Sequence, residues 1–133
     1  LATAAAAVRA RGHQRVAIYG TRYTIETDLF GALAGVAAVV RPEPAEVDLI
    51  HDIYYRLATT GVGTDEDHRQ LTRLAGRLMA RDGVDAILLA GTDLAVIFHE
   101  GNTAFPHVDC AQAQLEAIAA RALREHDPHD PRD

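Results

Sequence analysis

A chain of 133 residues suits one domain, and with 48% hydrophobic and 24% charged residues it has enough apolar side chain to bury a sizeable core. Its formal net charge of −6 argues against non-specific nucleic-acid binding, which needs a basic surface. No apolar run approaches the roughly 20 residues of a membrane span, no charged-then-apolar leader opens the chain, and the single cysteine, Cys110, excludes an internal disulfide and fits a reducing cytoplasm.

All 13 basic residues are arginines. That removes a lysine Schiff base and a P-loop lysine from consideration within this chain. The all-arginine, alanine-rich bias reads as genomic composition rather than as function.

In chain order, residues 2–11 read as an alanine-rich helix closed by Gly12 at the position after its end. No initiator methionine and no capping residue precede it, so the chain is expected to begin inside a longer protein. Val16 to Tyr19 is a short buried strand, and the turn Gly20-Thr21-Arg22-Tyr23-Thr24 leads into an apolar-periodic segment, Ile25, Leu29, Phe30 and Leu33, that ends at Gly35. Residues 36–40 make a second, β-branched strand, stopped by Arg41-Pro42. Pro44 then suits the first turn of a helix whose stripe is Val47, Ile50, Ile53, Tyr54 and Leu57.

After a Gly/Thr-rich loop, Thr64 caps a clearer helix, with Asp67 at the third position of a capping box and an acidic first turn. Leu71, Leu74, Ala75 and Leu78 form its stripe, and Gly83 stops it. Residues 86–89 are strand three, 94–99 a short helical turn, 100–103 a loop, and 105–109 a fourth strand. Leu115, Ile118, Ala119 and Ala122 stripe a last helix, which decays into a tail, residues 126–133, with the composition of a disordered segment.

Strands separated by helical segments imply right-handed crossovers and a parallel sheet. The expectation is one α/β domain over residues 1–125, a four-stranded parallel sheet in order 2-1-3-4 with helices on both faces. Ligands bind such sheets beyond the carboxyl ends of the strands, where strand order reverses. That point falls between strands one and three, between Thr21/Thr24 and Gly91/Thr92. The stretch 87–94, Ile-Leu-Leu-Ala-Gly-Thr-Asp-Leu, has the form of a buried strand delivering small and polar residues to that edge.

Two hydroxyls, Thr21 and Thr24, at a turn entering a helix suit a carboxylate or phosphate. The alternative is that one of them is simply the helix cap. Gly91-Thr92-Asp93 offers close-approach backbone, one hydroxyl and one carboxylate, or else a tight turn capped by Thr92 or Asp93. Seven histidines show no metal-binding spacing and no cysteine cluster supports them, so no metal is expected. Cys110, following strand four, is either a small buried hydrophobe or a thiol at the functional edge. Strand one lacks the acidic cluster that a magnesium-dependent phospho-receiver needs.

Taken together, Val16-Ala-Ile-Tyr-Gly-Thr-Arg-Tyr-Thr24, Ile50-His-Asp-Ile-Tyr-Tyr54, Leu88-Leu-Ala-Gly-Thr-Asp-Leu94 and Phe105-Pro-His-Val-Asp109 resemble the C-terminal half of the aspartate/glutamate racemase family. The third stretch is similar to that family's Leu-Gly-Cys-Thr-Glu-Leu signature. The resemblance implies one half of a two-domain protein, each half giving one catalytic cysteine to a shared cleft, with an N-terminal half as partner. It implies cofactor-independent proton transfer at Cα of an acidic amino acid or related small carboxylate. Thr21 and Thr24 would hold the substrate carboxylate, with Thr92 and Asp93 matching the residues after the signature cysteine.

The sequence departs from the family at that cysteine, where it has Gly91, and at the family's last-helix histidine, where it has Gln114. Three outcomes stay open: a second proton donor, Cys110 being the only thiol; one-base isomerase or decarboxylase chemistry; or a catalytically silent carboxylate-binding or assembly domain. This chain alone is expected to be inactive, because the cleft needs both halves. Apolar surface meant for the other half is expected to drive homo-oligomerisation.

Overall fold

The computed structural model describes residues 2–28, 33, 35–110, 119, 122 and 123. The expected last helix lies almost wholly outside these residues, as do Leu29, Phe30 and the tail. Helix α1 (Ala2–Ala10) leads to strand β1 (Arg15–Tyr19), a π-helical turn Thr24–Asp28 and strand β2 (Ala38–Val39). Helices α2 (Pro44–Thr60) and α3 (Asp65–Asp82) follow, then strand β3 (Ala86–Leu89) and strand β4 (His107–Asp109). All pairings are parallel, and the sheet order is β2-β1-β3-β4, as the sequence predicts.

The two central strands account for their own burial. Val16 to Tyr19 and Ala86 to Leu89 are buried without exception, because each strand is covered on both faces. Asp85 fixes their relative start: one carboxylate oxygen accepts from the backbone N–H of Gln14 at 2.9 Å and of Arg15 at 3.2 Å. The Tyr19 hydroxyl donates to the Leu71 carbonyl at 2.6 Å, tying β1 to α3 and satisfying a buried donor.

Both outer strands are shorter than their sequence implies. The N–H groups of Val36 and Ala37 turn back onto the Leu33 carbonyl, at 2.9 and 3.2 Å, so only Ala38 and Val39 remain for β2. Pro106 has no N–H for a ladder, so β4 begins at His107 rather than at residue 105. The helical turn expected over 94–99 is a 3-10 turn at Thr92–Val96, and the expected loop after it is a second one, Glu100–Asn102. The second forms because the Asn102 side chain accepts from the His99 N–H at 2.8 Å while the Asn102 N–H returns to the His99 carbonyl at 3.1 Å.

Two helices make the crossover from β2 to β3. Pro44 occupies the first turn of α2, and Glu43 and Glu46 flank its start, the Glu46 carboxylate accepting from the Glu43 N–H at 2.9 Å. The expected capping box opens α3: the Asp67 N–H donates to the Thr64 hydroxyl at 3.0 Å, and the Thr64 N–H to the Asp67 carboxylate at 3.2 Å. Gly83 closes α3 at φ +69, a left-handed position that costs glycine nothing.

Side-chain contacts place the helix ends. Arg15 donates to the Asp82 carbonyl at 3.0 Å, so the end of α3 sits beside the start of β1. Gly63, between α2 and α3, abuts Ile97; a Cβ there would lie 2.1 Å from that side chain, so the loop needs glycine to pack. Helix α2 therefore rises to the carboxyl edge of the sheet and α3 descends to its amino edge. Among the described residues, no helix is long and apolar enough to cross a membrane.

Candidate functional site at the carboxyl edge of β1 and β3

The two turns singled out by the sequence adjoin. The Ala90 N–H donates to the Tyr19 carbonyl at 2.8 Å, and a Cβ on Gly20 would stand 3.3 Å from the Ala90 carbonyl oxygen. Glycine at position 20 is what lets the strand ends come this close.

In the first turn, Thr21 accepts the Thr24 N–H at 3.2 Å, and the two threonine hydroxyls are 2.9 Å apart. Thr21 is thus the cap of the helical turn that follows, one of the two roles its position allowed. Both residues are only partly buried. Arg22, between them, gives its N–H to Nδ1 of His51 at 3.0 Å and its guanidinium to Asp48. An acceptor at Nδ1 leaves the hydrogen of a neutral His51 on Nε2. The first turn is therefore stitched to α2.

In the second turn Gly91 is extended, at φ 172 and ψ 142, and is followed by exposed Thr92 and half-buried Asp93. The space above Gly91 belongs to Tyr54 of α2. A Cβ built on Gly91 would lie 2.2 Å from the Tyr54 hydroxyl oxygen and 2.6 to 2.7 Å from its ring carbons. The hydroxyl donates to the Asp93 carboxylate at 3.0 Å. Partial burial first, and then the Asp93 hydrogen bond and charge, push the Tyr54 phenol up to about 12. It stays protonated through the physiological range.

Cys110 lies elsewhere on the edge. It directly follows β4, whose Asp109 is in register with Leu89, and it packs against the apolar core. Burial, and then the neighbouring Asp109 charge, push its thiol up to about 11, which disfavours the thiolate a base would need. A separate cleft of 650 Å³ opens on the β4 side, lined by Arg11, Phe98, His99, His107 and Asp109 among others. Among the described residues no group of three or more His, Cys, Asp or Glu is arranged to hold a metal ion.

The sequence gives neither Tyr54 nor His51 a site role, although both lie in the 50–54 stretch of the resemblance; Tyr54 reads there as part of the apolar stripe of its helix. The available signal was a polar-tipped aromatic on that stripe three residues after a histidine, together with a glycine across the sheet edge.

Solved structures carry this architecture. A candidate Asp/Glu racemase from Yersinia pestis superposes with a TM-score of 0.79 at 22% identity, over 91% of this chain and 54% of that one. The fold is that of the racemase structures. An aspartate racemase homologue from Pyrococcus horikoshii OT3 gives 0.78 at 22% identity, again over 91% of this chain and 54% of its own. The aspartate racemase of Picrophilus torridus gives 0.73 at 22% identity, covering 91% and 50%. The chain thus spans about half the length of the racemase structures it matches. No protein-family profile matches the sequence.

Proposed function

We propose that this chain is the C-terminal half of an aspartate/glutamate racemase-like protein, moving a proton at Cα of an acidic amino acid or related small carboxylate without a cofactor. The observation that carries the reading is the joined pair of turns at the β1–β3 edge, on a fold shared with racemases. Thr21 and Thr24 offer hydroxyls to a carboxylate at the start of a helical turn, and Thr92 and Asp93 lie on the adjoining turn after β3. Binding the carboxylate prepares the chemistry, because the electron pair left at Cα after proton removal is drawn into that group. The opposing base belongs to the other half, and so does the far wall of the cleft.

Gly91 favours a second reading, a carboxylate-binding domain without catalysis, because glycine has no side chain to move a proton. Solvent deuterium exchange at Cα of L- and D-aspartate and glutamate separates the two, since only a catalyst exchanges. For the binding role itself, Thr21→Val in the full-length protein should weaken acidic amino-acid binding about ten- to hundredfold, the equivalent of one charge-assisted hydrogen bond. Calorimetry showing unchanged affinity, with the helical turn intact by circular dichroism, would remove Thr21 from the carboxylate site.

A further inference from the structure

We propose that the Tyr54 phenol, seated on Gly91 and held by Asp93, is the group that delivers a proton to one face of the substrate Cα. The inference rests on the racemase-like reading above and names what that reading lacks, a proton carrier on this half.

Three observations support it. The Tyr54 oxygen stands 2.2 Å from where a residue-91 Cβ would be, so it fills the volume a side chain at position 91 would claim. Gly91 is extended at φ 172, a conformation open to any residue, so its own backbone gives no reason for glycine; the phenol above it does. Asp93 then fixes the hydroxyl at 3.0 Å, two residues along the same turn. The result is a proton-bearing oxygen at the strand-order reversal, beside the threonine turn. Cys110, by contrast, is on the far side of β3 from β1 and packs, partly buried, against the core.

The proton balance is simple. A thiolate base of the opposite half takes the Cα hydrogen as a proton, and the C–H electron pair moves into the substrate carboxylate system. The Tyr54 O–H bond then breaks, its proton bonding to Cα on the opposite face while its electron pair stays on the phenolate oxygen. Phenolate and protonated base each exchange with water to restore the starting state. In the reverse direction the same oxygen, once deprotonated, is the base; burial and the Asp93 carboxylate keep it protonated near neutral pH, so that direction draws on a small phenolate fraction.

The test is the full-length protein and its Tyr54→Phe variant with both enantiomers of aspartate and glutamate in deuterium oxide, following inversion by chiral chromatography and Cα exchange by NMR. Tyr54→Phe is expected to cut inversion by about 10²–10⁴-fold in kcat, with substrate affinity unchanged. One enantiomer should keep its Cα exchange, because the opposing base still removes and returns deuterium on its own face. Parallel loss of exchange and inversion for both enantiomers, or retained inversion, overturns the assignment. Gly91→Ala is the second variant: its methyl group displaces the phenol, and it should reproduce the same split, whereas retained inversion again counts against Tyr54. Absence of both exchange and inversion in the unaltered protein overturns the racemase-like reading itself and this inference with it.

Discussion

Helix α2 carries two carboxylate contacts of opposite character. In its first turn Glu46 is 5% exposed and bound by guanidinium groups: Arg81 reaches both of its oxygens, at 2.9 and 3.1 Å, and Arg77 one of them at 3.1 Å. Two to three turns later Tyr54 meets Asp93 through a single neutral donor at 3.0 Å. The Arg81 hydrogen bond first, then the Glu43 N–H and Arg77, hold the Glu46 carboxyl down at about 2. At the other contact the charge of Asp93 is shared with a phenol and the phenol's proton is held more tightly. A carboxylate bound by arginines is structural; one that accepts from a neutral hydroxyl has a transferable proton beside it. The difference separates the end of α2 that holds the fold from the part that faces the candidate site.

Glu46→Ala breaks the first contact and should have the largest effect on stability, about 3 kcal/mol by chemical denaturation, because three charge-assisted hydrogen bonds are lost together. Its pH dependence follows from the lowered pKa. The folded carboxyl titrates near 2 against an ordinary 4.5, so the stabilisation is fully present above about pH 4.5 and is lost as the pH falls towards 2. Glu46→Gln should flatten that acid limb of the stability profile. An unchanged acid limb would mean that the ion-pair cluster contributes nothing in solution.

Thr64→Ala comes next, at about 1 kcal/mol, through loss of the reciprocal cap that starts α3. It was the local signal that made α3 the most legible element in the chain. Capping residues, stop glycines and apolar stripes act within one or two helical turns, and α1, α2, α3 and β3 all appear close to where such signals put them. The sheet order was legible from the alternation of strands and helices, which implies right-handed crossovers and a doubly wound parallel sheet. The outer strands were overextended because distant or side effects trimmed them, the Leu33 carbonyl capturing two N–H groups before β2 and Pro106 withholding one before β4. At the site, the joined turns could be read from the sequence, whereas the phenol over Gly91 could not. Residues 54 and 91 meet only through the fold, and a tyrosine at stripe spacing reads as core until its hydroxyl is seen to have a partner.

The smallest effect on stability should come from Tyr54→Phe, about 0.5 kcal/mol in the same denaturation experiment. The argument is one of burial and replacement. Tyr54 and Asp93 are each only partly buried, so water can take over the hydrogen bond that Asp93 loses, and the ring that packs on Gly91 stays in place. Glu46 is itself nearly inaccessible and is held by two arginines at once, so its removal breaks several contacts together. A Tyr54→Phe penalty rivalling that of Glu46→Ala would place the phenol among the structural contacts of α2 and erase the contrast. A small penalty alongside a large loss of inversion is the combination expected of a side chain kept for its proton rather than for the stability of the fold.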